Sequence, residues 1–190
     1  MAETFWVNED YQFRQYDGGT SDGPDHDESL VAAAAKGALA GLLGTVVISL
    51  GMTYGPRLME KYGLMDGGSE PPDDPAEPQE PTEVLVDKVA STVFDADMPA
   101  GPRHLAGRAV HWSYGASRGA LYGVSQSQLK LPPALGGLVL GAIASGVAST
   151  VVPALDLAPP PTEQPLPQTA MMSALHILYG ETVALAYEAL

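Results

Sequence analysis

The sequence predicts an all-α integral membrane protein whose four transmembrane helices form a duplicated two-helix repeat, with a short amphipathic helix in the first loop. Three observations lead to this fold class. Acidic residues concentrate in 3–28 and 60–97, whereas most of the remaining chain is Ala, Gly, Leu and Val with few charges. Glycines recur at helical spacing in the apolar stretches, and a His-x-x-Tyr-Gly motif occurs twice. A soluble protein mixes polar and apolar residues within each amphipathic element, whereas a membrane protein separates them into spans and loops.

The overall composition excludes several classes of function. The 190 residues carry a formal net charge of −14, so the chain lacks the clustered Lys and Arg that binding to nucleic acid requires. It contains no cysteine, which rules out disulfides, thiolate metal sites and a cysteine nucleophile. The sequence also has no phosphate-binding loop and no nucleophile–base pair at a suitable spacing. We therefore expect a protein that is not an enzyme.

The chain begins with an acidic tail, 1–29, in which aromatic residues are interleaved, and continues into a first span at about 30–54. The only charge in this span is Lys36, near its start. A helix of this length, at about 1.5 Å per residue, crosses a hydrocarbon core of about 30 Å. Small residues at steps of three and four let helix backbones approach closely in lipid. On this span they are Gly37, Gly41 and Gly44.

The first loop, 55–103, is predicted to hold two short helices separated by a Pro- and acid-rich linker at 66–81. The first short helix, 56–65, is typical of a membrane interface. The second, 82–94, has one apolar face, and Thr82 is its predicted N-cap. An amphipathic helix of this kind lies on the membrane surface or on the protein itself.

Three further spans are predicted at about 104–124, 134–154 and 168–189. The second span contains Arg108 and Arg118, which lie close enough to its ends for their long side chains to snorkel to the interface. The segment DLAPPPTEQPLP between the last two spans is an extended turn in which no helix can propagate. The close-packing glycines on these spans are Gly115, Gly119, Gly137, Gly141 and Gly180.

Two constant offsets indicate the duplication. One of 65 residues relates span two to span four, and one of 100 residues relates span one to span three. The matched residues are His111, Tyr114, Gly115 and Tyr122 with His176, Tyr179, Gly180 and Tyr187, and Gly37, Gly41 and Thr45 with Gly137, Gly141 and Ser145. The repeats are thus 30–124 and 125–190, related by a pseudo-twofold along the membrane normal. This arrangement predicts both termini on the same side and the two histidines at equal depth.

Two stretches resemble a known family. They are HWSYGASRGALYG at 111–123 and VVPALDLAPPPTEQPLPQTAMMSALHILYGETVALAYE at 151–188. Both are similar to an uncharacterised family of small bacterial inner-membrane proteins, a domain of unknown function with one enterobacterial member associated with acid resistance. The resemblance implies a four-span fold in a bacterial inner membrane and carries no chemistry with it.

The paired histidines allow more than one interpretation. A His within a span is costly and usually points into the bundle interior. In the interpretation we prefer, each His hydrogen-bonds to a neighbouring helix, with Tyr114 or Tyr179 as a second polar clamp. In the alternative, His111 and His176 ligate one haem, (bacterio)chlorophyll or metal across the pseudo-axis. A proton relay through them is the third possibility.

Glu181, near the middle of the last span, is the second candidate site. A carboxylate at such a depth is costly unless it is protonated or paired. The repeat register places Arg118 within one turn of Glu181, so we predict an ion pair that locks helices two and four. The alternative is that Glu181 forms a proton path with His176 and His111.

These patterns favour a non-catalytic multi-pass protein that serves as an accessory or scaffold subunit of a larger membrane protein complex. The tail 1–29 and the loop 55–103 are expected to bind other subunits, and membrane lipids are expected to surround the spans. The alternatives are a small proton or solute pore lined by Glu181, His176, His111 and Arg118, and a haem- or chlorophyll-binding subunit.

Overall fold

The computed structural model describes residues 25–64 and 80–190, with side chains from residue 29 onward, and the regular structure in these ranges is entirely helical. The predicted tail up to residue 24 and the predicted linker up to residue 79 lie outside the described residues. The helices are α1 (Asp25–Lys61), α2 (Pro81–Phe94), α3 (Ala100–Leu129), α4 (Pro133–Ala154) and α5 (Leu166–Ala189), with a 3-10 turn at Pro161–Glu163. The all-helical fold class is confirmed.

Helix α1 replaces two predicted elements with one. The predicted span 30–54 and the predicted short helix 56–65 form a single 37-residue helix that passes through Pro56. A proline inside a helix removes one backbone donor and bends the axis, yet α1 does not end at Pro56. The helix continues because Gly55 packs against Met171 of α5, and tertiary packing of this kind outweighs the lost hydrogen bond.

The C-terminal end of α1 is a glycine turn. Gly63 adopts a positive φ of 65°, and the Leu64 amide donates to the carbonyl of Met59 at 2.9 Å. A left-handed glycine with this six-to-one hydrogen bond is the Schellman termination.

Helix α2 confirms the predicted helix at 82–94 but not its predicted cap. Pro81 occupies the first turn, and Glu80 precedes it at the N-cap position without a side-chain hydrogen bond. The Thr82 hydroxyl is buried and has no hydrogen-bond partner. Proline displaces Thr82 from the cap because its fixed φ suits the first helical position.

Of the two predicted locations for α2, the structure shows contact with the protein. The Arg103 guanidinium donates to the Asp87 carboxylate at 3.1 Å, and His104 Nδ1 to the Glu83 carboxylate at 2.5 Å. The ammonium of Lys88 donates to the carbonyl of Leu155, just beyond α4, at 2.8 Å. Helix α2 thus lies across the beginning of α3 and the end of α4.

The remaining boundaries agree with the sequence to within a few residues, except for α3. The predicted span 104–124 is extended at both ends to 30 residues. The extended turn 156–167 contains one 3-10 turn. A three-residue connection joins α3 to α4, and its first residue, Lys130, is in the left-handed conformation with φ 47°.

Helices α1 and α5 pack against each other at the centre of the described bundle. Helix α1 contacts both α3 and α5, α4 packs on α5, and α2 packs on α3. The eight glycines predicted to pack helices all lie against another helix. They are Gly37, Gly41, Gly44, Gly115, Gly119, Gly137, Gly141 and Gly180.

Small residues fill the interior of the described part of the chain, and many large apolar side chains lie on its outside. The largest fully buried side chains are Val183 and Thr45, and half of the buried apolar residues are alanines. Large apolar side chains lie outside instead: Leu121 is 67% exposed, Ile143 55% and Leu185 64%. Two helical segments, Ser29–Lys61 and Pro133–Ala154, are long and apolar enough to cross a membrane.

Candidate functional site

The backbones of α1 and α3 meet through glycine. A Cβ placed on Gly119 would lie 2.5 Å from Gly41 Cα, closer than real Cβ contacts allow. One turn further along α1, Thr45 is buried against Gly115, and its hydroxyl donates to the carbonyl of Gly41 at 2.8 Å. This intrahelical bond satisfies the one polar group that the contact buries. The seam between α1 and α3 therefore has no space for a ligand.

The contact between α1 and α5 is of a different kind, because side chains of α5 fit into the gaps left by glycines of α1. Gly44 lies against the ring of Tyr179 and the methyl of Val183. Gly51 lies against Leu175 in the same way.

Two tyrosines of α5 reach across to the backbone of α3. The Tyr179 hydroxyl donates to the carbonyl of Gly115 at 2.9 Å, and the Tyr187 hydroxyl to the carbonyl of Gly123 at 3.4 Å. Both pairs are 64 residues apart in sequence. Helices α3 and α5 therefore run in the same direction, in nearly the register of the 65-residue repeat, and this places His111 and His176 at similar levels.

The two histidines nevertheless have different partners. His111 Nε2 shares a hydrogen bond with the Ser49 hydroxyl of α1 at 3.2 Å, as the preferred interpretation expects. His176 Nδ1 instead donates to the carbonyl of Met172, in its own helix, at 2.7 Å. The prediction that each His bonds to a neighbouring helix is therefore wrong for His176.

The contacts of His111 also bear on the cofactor hypothesis. Ligation of one cofactor through Nε2 of both histidines would require the bond between His111 and Ser49 to break. Within residues 25–64 and 80–190, no group of three or more His, Cys, Asp or Glu side chains could hold a metal ion. The haem or chlorophyll site at His111 and His176 stays a prediction.

The predicted ion pair between Arg118 and Glu181 is absent. The Arg118 guanidinium donates to the hydroxyl of Tyr114, one turn earlier on the same helix, and its Cζ lies 5.0 Å from the centre of that ring. Glu181 faces α4, where its carboxyl group lies against Gly137. The two residues are at similar levels but on different faces, so the depth argument was correct and the pairing was not.

A second polar cluster lies at the end of the bundle where α3 ends and α4 begins. The rings of Tyr122 and Tyr187 meet edge to face with centroids 5.6 Å apart, and Lys36 Nζ lies 4.6 Å from the Tyr187 centroid. The Tyr122 hydroxyl is buried without a hydrogen-bond partner. We refer to Lys36, Tyr122 and Tyr187 as the tyrosine cluster.

No family model, no curated protein and no solved structure matches this chain. The resemblance to small bacterial inner-membrane proteins therefore stays a prediction.

Several residues of these contacts were not singled out from the sequence. Ser49 carries no motif, although an offset of 100 residues relates it to Ser149, just as it relates Thr45 to Ser145. The tyrosine cluster had a partial signal, since Tyr122 and Tyr187 are repeat partners. For Lys36 the sequence indicates only a position near the start of the first span.

Proposed function

We propose that this chain is a four-span integral membrane protein that acts as a non-catalytic accessory subunit of a membrane protein complex. The observation that carries the proposal is the exposure of large apolar side chains around an interior of small residues. Glycine, alanine and hydroxyl groups occupy the helix contacts, while leucine, valine and isoleucine cover the outside. In water such a surface would drive aggregation, whereas in lipid small residues at the contacts let helices pack by van der Waals attraction.

The packing of the helices supports the four-span arrangement. Helices α1 and α4 are apolar enough to cross a membrane. Helix α3 is held to α1, and α5 to α4, by close glycine contacts in the middle of each pair. In this proposal α3 and α5 cross the membrane beside them, and their 30 and 24 residues are long enough to do so, at about 45 and 36 Å. Four spans place both ends of the chain on the same side.

The polar groups of α3 and α5 are compatible with this depth. Arg118 is stacked on Tyr114, which reduces the cost of placing a guanidinium near lipid. The hydroxyls of Tyr179 and Tyr187 donate to backbone carbonyls, so their polar ends are satisfied without water. Outer-face residues such as Leu105 and Leu178 are exposed, as lipid contact requires.

An accessory role fits the packed interior better than a pore does. Backbone contacts close the seam between α1 and α3 and the seam between α4 and α5. Two cavities of about 470 and 480 Å³ lie at opposite ends of the bundle. In this proposal the exposed apolar faces, the acidic tail 1–29 and the loop 55–103 contact partner subunits in a bacterial inner membrane.

Membrane integration and subunit association are tested separately. We expect the protein to remain in membranes after alkaline carbonate washing. Because the chain has no cysteine, single cysteines near the ends of α1 and α5 can report the side of each end with an impermeant maleimide. Labelling of the beginning of α1 and the end of α5 from opposite sides of a vesicle would contradict the four-span arrangement.

The accessory role requires association. We expect protein purified from its native membranes in a mild detergent to migrate as a complex with a stoichiometric partner, and deletion of residues 1–23 to release that partner while the chain stays in the membrane. A monodisperse monomer at near-physiological expression would overturn the role.

A further inference from the structure

The strongest unassigned feature is the cavity of about 470 Å³ at the end of the bundle where α3 ends and α4 begins. Its volume is within the range of about 300–1,000 Å³ typical of small-molecule sites. Tyr187 forms one wall and the connection from Leu131 to Pro133 another. The Gln126 amide holds that connection by donating to the Leu131 carbonyl at 2.5 Å and accepting from its amide at 3.2 Å.

Charges of both signs line this cavity without neutralising each other. Lys130 and Glu188 both contribute to its lining, yet the ion pairs of the described residues involve neither side chain. A second cation, Lys36, does not line the cavity, but its ammonium lies 4.6 Å from the centroid of the Tyr187 ring, which does. The ligand that complements this arrangement is a zwitterion, with an anionic group for the two lysines and a cationic group for Glu188.

The position of the cavity indicates that the zwitterion belongs to a lipid. Helix α4 begins at the cavity, and Lys36 lies near the beginning of the apolar segment of α1. In the proposed four-span arrangement this end of both helices is at the headgroup level, where long cationic side chains are favoured. Leu129 and Leu135, on either side of the connection, are 64% and 47% exposed and offer apolar surface for acyl chains.

From these observations we infer that the cavity binds the phosphoethanolamine headgroup of a membrane phospholipid, with the phosphate at Lys130 and Lys36 and the ammonium at Glu188. The inference rests on the proposed membrane function. A primary ammonium donates hydrogen bonds to a carboxylate, whereas a quaternary choline group cannot, and a glycerol headgroup carries no cation for Glu188. The site therefore discriminates among the three common headgroups.

The test is native mass spectrometry of the full-length protein in detergent with equimolar phosphatidylethanolamine, phosphatidylcholine and phosphatidylglycerol of matched acyl chains. We expect the wild type to retain phosphatidylethanolamine preferentially. Lys130→Gly should reduce that retention on the order of tenfold, since a charge-assisted hydrogen bond is lost. Glu188→Lys should shift the preference to phosphatidylglycerol. Equal retention of the three lipids by the wild type, or unchanged retention by Lys130→Gly, would overturn the site.

Lys130→Gly also separates binding from folding. Lys130 has a left-handed backbone, φ 47° and ψ 45°, which glycine adopts without steric cost. The melting temperature of this variant in detergent should equal or exceed that of the wild type, so weaker lipid retention cannot come from unfolding. Lys36→Gln should also weaken retention. Lys61→Gln is its matched control, because Lys61 also lies over a tyrosine ring, that of Tyr62, 5.9 Å from its centroid, but near the opposite end of α1.

Two further measurements identify the source of the headgroup and distinguish a failure of this inference from a failure of the proposed function. Soluble O-phosphoethanolamine should displace the lipid only at a concentration far above that of the lipid, and competition at equal concentration would overturn the lipid assignment. Carbonate extraction is measured on the same samples. If the chain stays in the membrane but retains the three lipids equally, only this inference is wrong. If carbonate releases the chain, the proposed function itself is wrong.

Discussion

The two helical hairpins, α1 with α3 and α4 with α5, carry the same glycine motif but use it in different registers. In the first hairpin Gly41 meets Gly119, and in the second Gly141 meets Gly180. The repeat partner of Gly119 is position 184, not 180. Relative to the first hairpin, α5 is therefore displaced along α4 by four residues, about one helical turn.

We infer that two residues, Ala184 and Glu188, cause this displacement, since a Cβ at position 119 or at position 123 would collide with the opposite backbone. The glycines at 115, 119 and 123 correspond to Gly180, Ala184 and Glu188 in the second hairpin. A Cβ at position 119 would lie 2.5 Å from the opposite backbone, so Ala184 cannot occupy the equivalent position. Sliding by one turn brings Gly180 to the closest approach instead. The point at which two helices cross is therefore set by the positions where no Cβ fits, not by the small-residue motif as a whole.

The most disruptive test of this comparison is Gly119→Ala. The added methyl group must separate α1 from α3, and overpacking of this kind costs about 3 kcal/mol of unfolding free energy. Reversible unfolding in mixed micelles, followed by circular dichroism, measures the change. Gly146→Ala is the control, because a Cβ there would have no heavy atom within 4 Å and alanine favours the helix by up to about 1 kcal/mol. Equal effects at the two positions would contradict the proposed crossing point.

A second test asks whether the register can be reversed. Ala184→Gly combined with Glu188→Gly restores in α5 the three-glycine pattern of α3, at a cost of about 2 kcal/mol in helix propensity. We expect α4 to slide by one turn along α5, which stays in register with α3, and to bring position 149 next to position 176, the repeat partners of Ser49 and His111. Cysteines placed at 149 and 176 should form a disulfide faster in this background than with Ala184 and Glu188 present. Equal rates would show that the glycines do not set the register.

A smaller effect is expected at Ser49 and Ser149, because the displacement gives these repeat partners different contacts. Ser49 shares a hydrogen bond with His111, whereas Ser149 has no corresponding bond with His176, which donates to Met172. Ser49→Ala should lower the unfolding free energy by about 0.5–1.5 kcal/mol, the net value of one hydrogen bond. Ser149→Ala should leave it within about 0.5 kcal/mol of the wild type. A loss at Ser149 as large as that at Ser49 would mean that the two hairpins share one register.

Much of the architecture could be predicted from the sequence because it depends on local patterns. Apolar length and proline placement gave α4 and α5 to within about two residues. The 65-residue offset predicted that α3 and α5 lie in register, and the hydrogen bonds from Tyr179 and Tyr187 agree with it. The glycines were predicted to pack helices because small residues at this spacing have few other uses in lipid.

The features that could not be predicted depend on which atoms meet across helices. Whether Gly141 lies opposite position 180 or 184 depends on whether the side chains of Ala184 and Glu188 fit against α4, and a constant repeat offset does not contain that information. The sequence predicted two helices, 30–54 and 56–65, in place of the single α1, because it did not show that the turn before Pro56 packs against α5. The predicted partner of Arg118 was wrong for a similar reason. The sequence placed Arg118 and Glu181 at similar levels but did not show which face of its helix each side chain occupies.

The smallest expected effect concerns that partner and separates the two hairpins most sharply. If Arg118 and Glu181 were an ion pair joining α3 to α5, a double-mutant cycle with Arg118→Gln and Glu181→Gln would show a coupling free energy of about 1 kcal/mol or more. Arg118 instead bonds within its own helix and Glu181 lies against α4, so we expect coupling below about 0.3 kcal/mol. The cycle with Arg118→Gln and Tyr114→Phe is the positive control. Strong coupling to Glu181 would join the hairpins electrostatically, and the register difference would then need a cause other than Ala184 and Glu188.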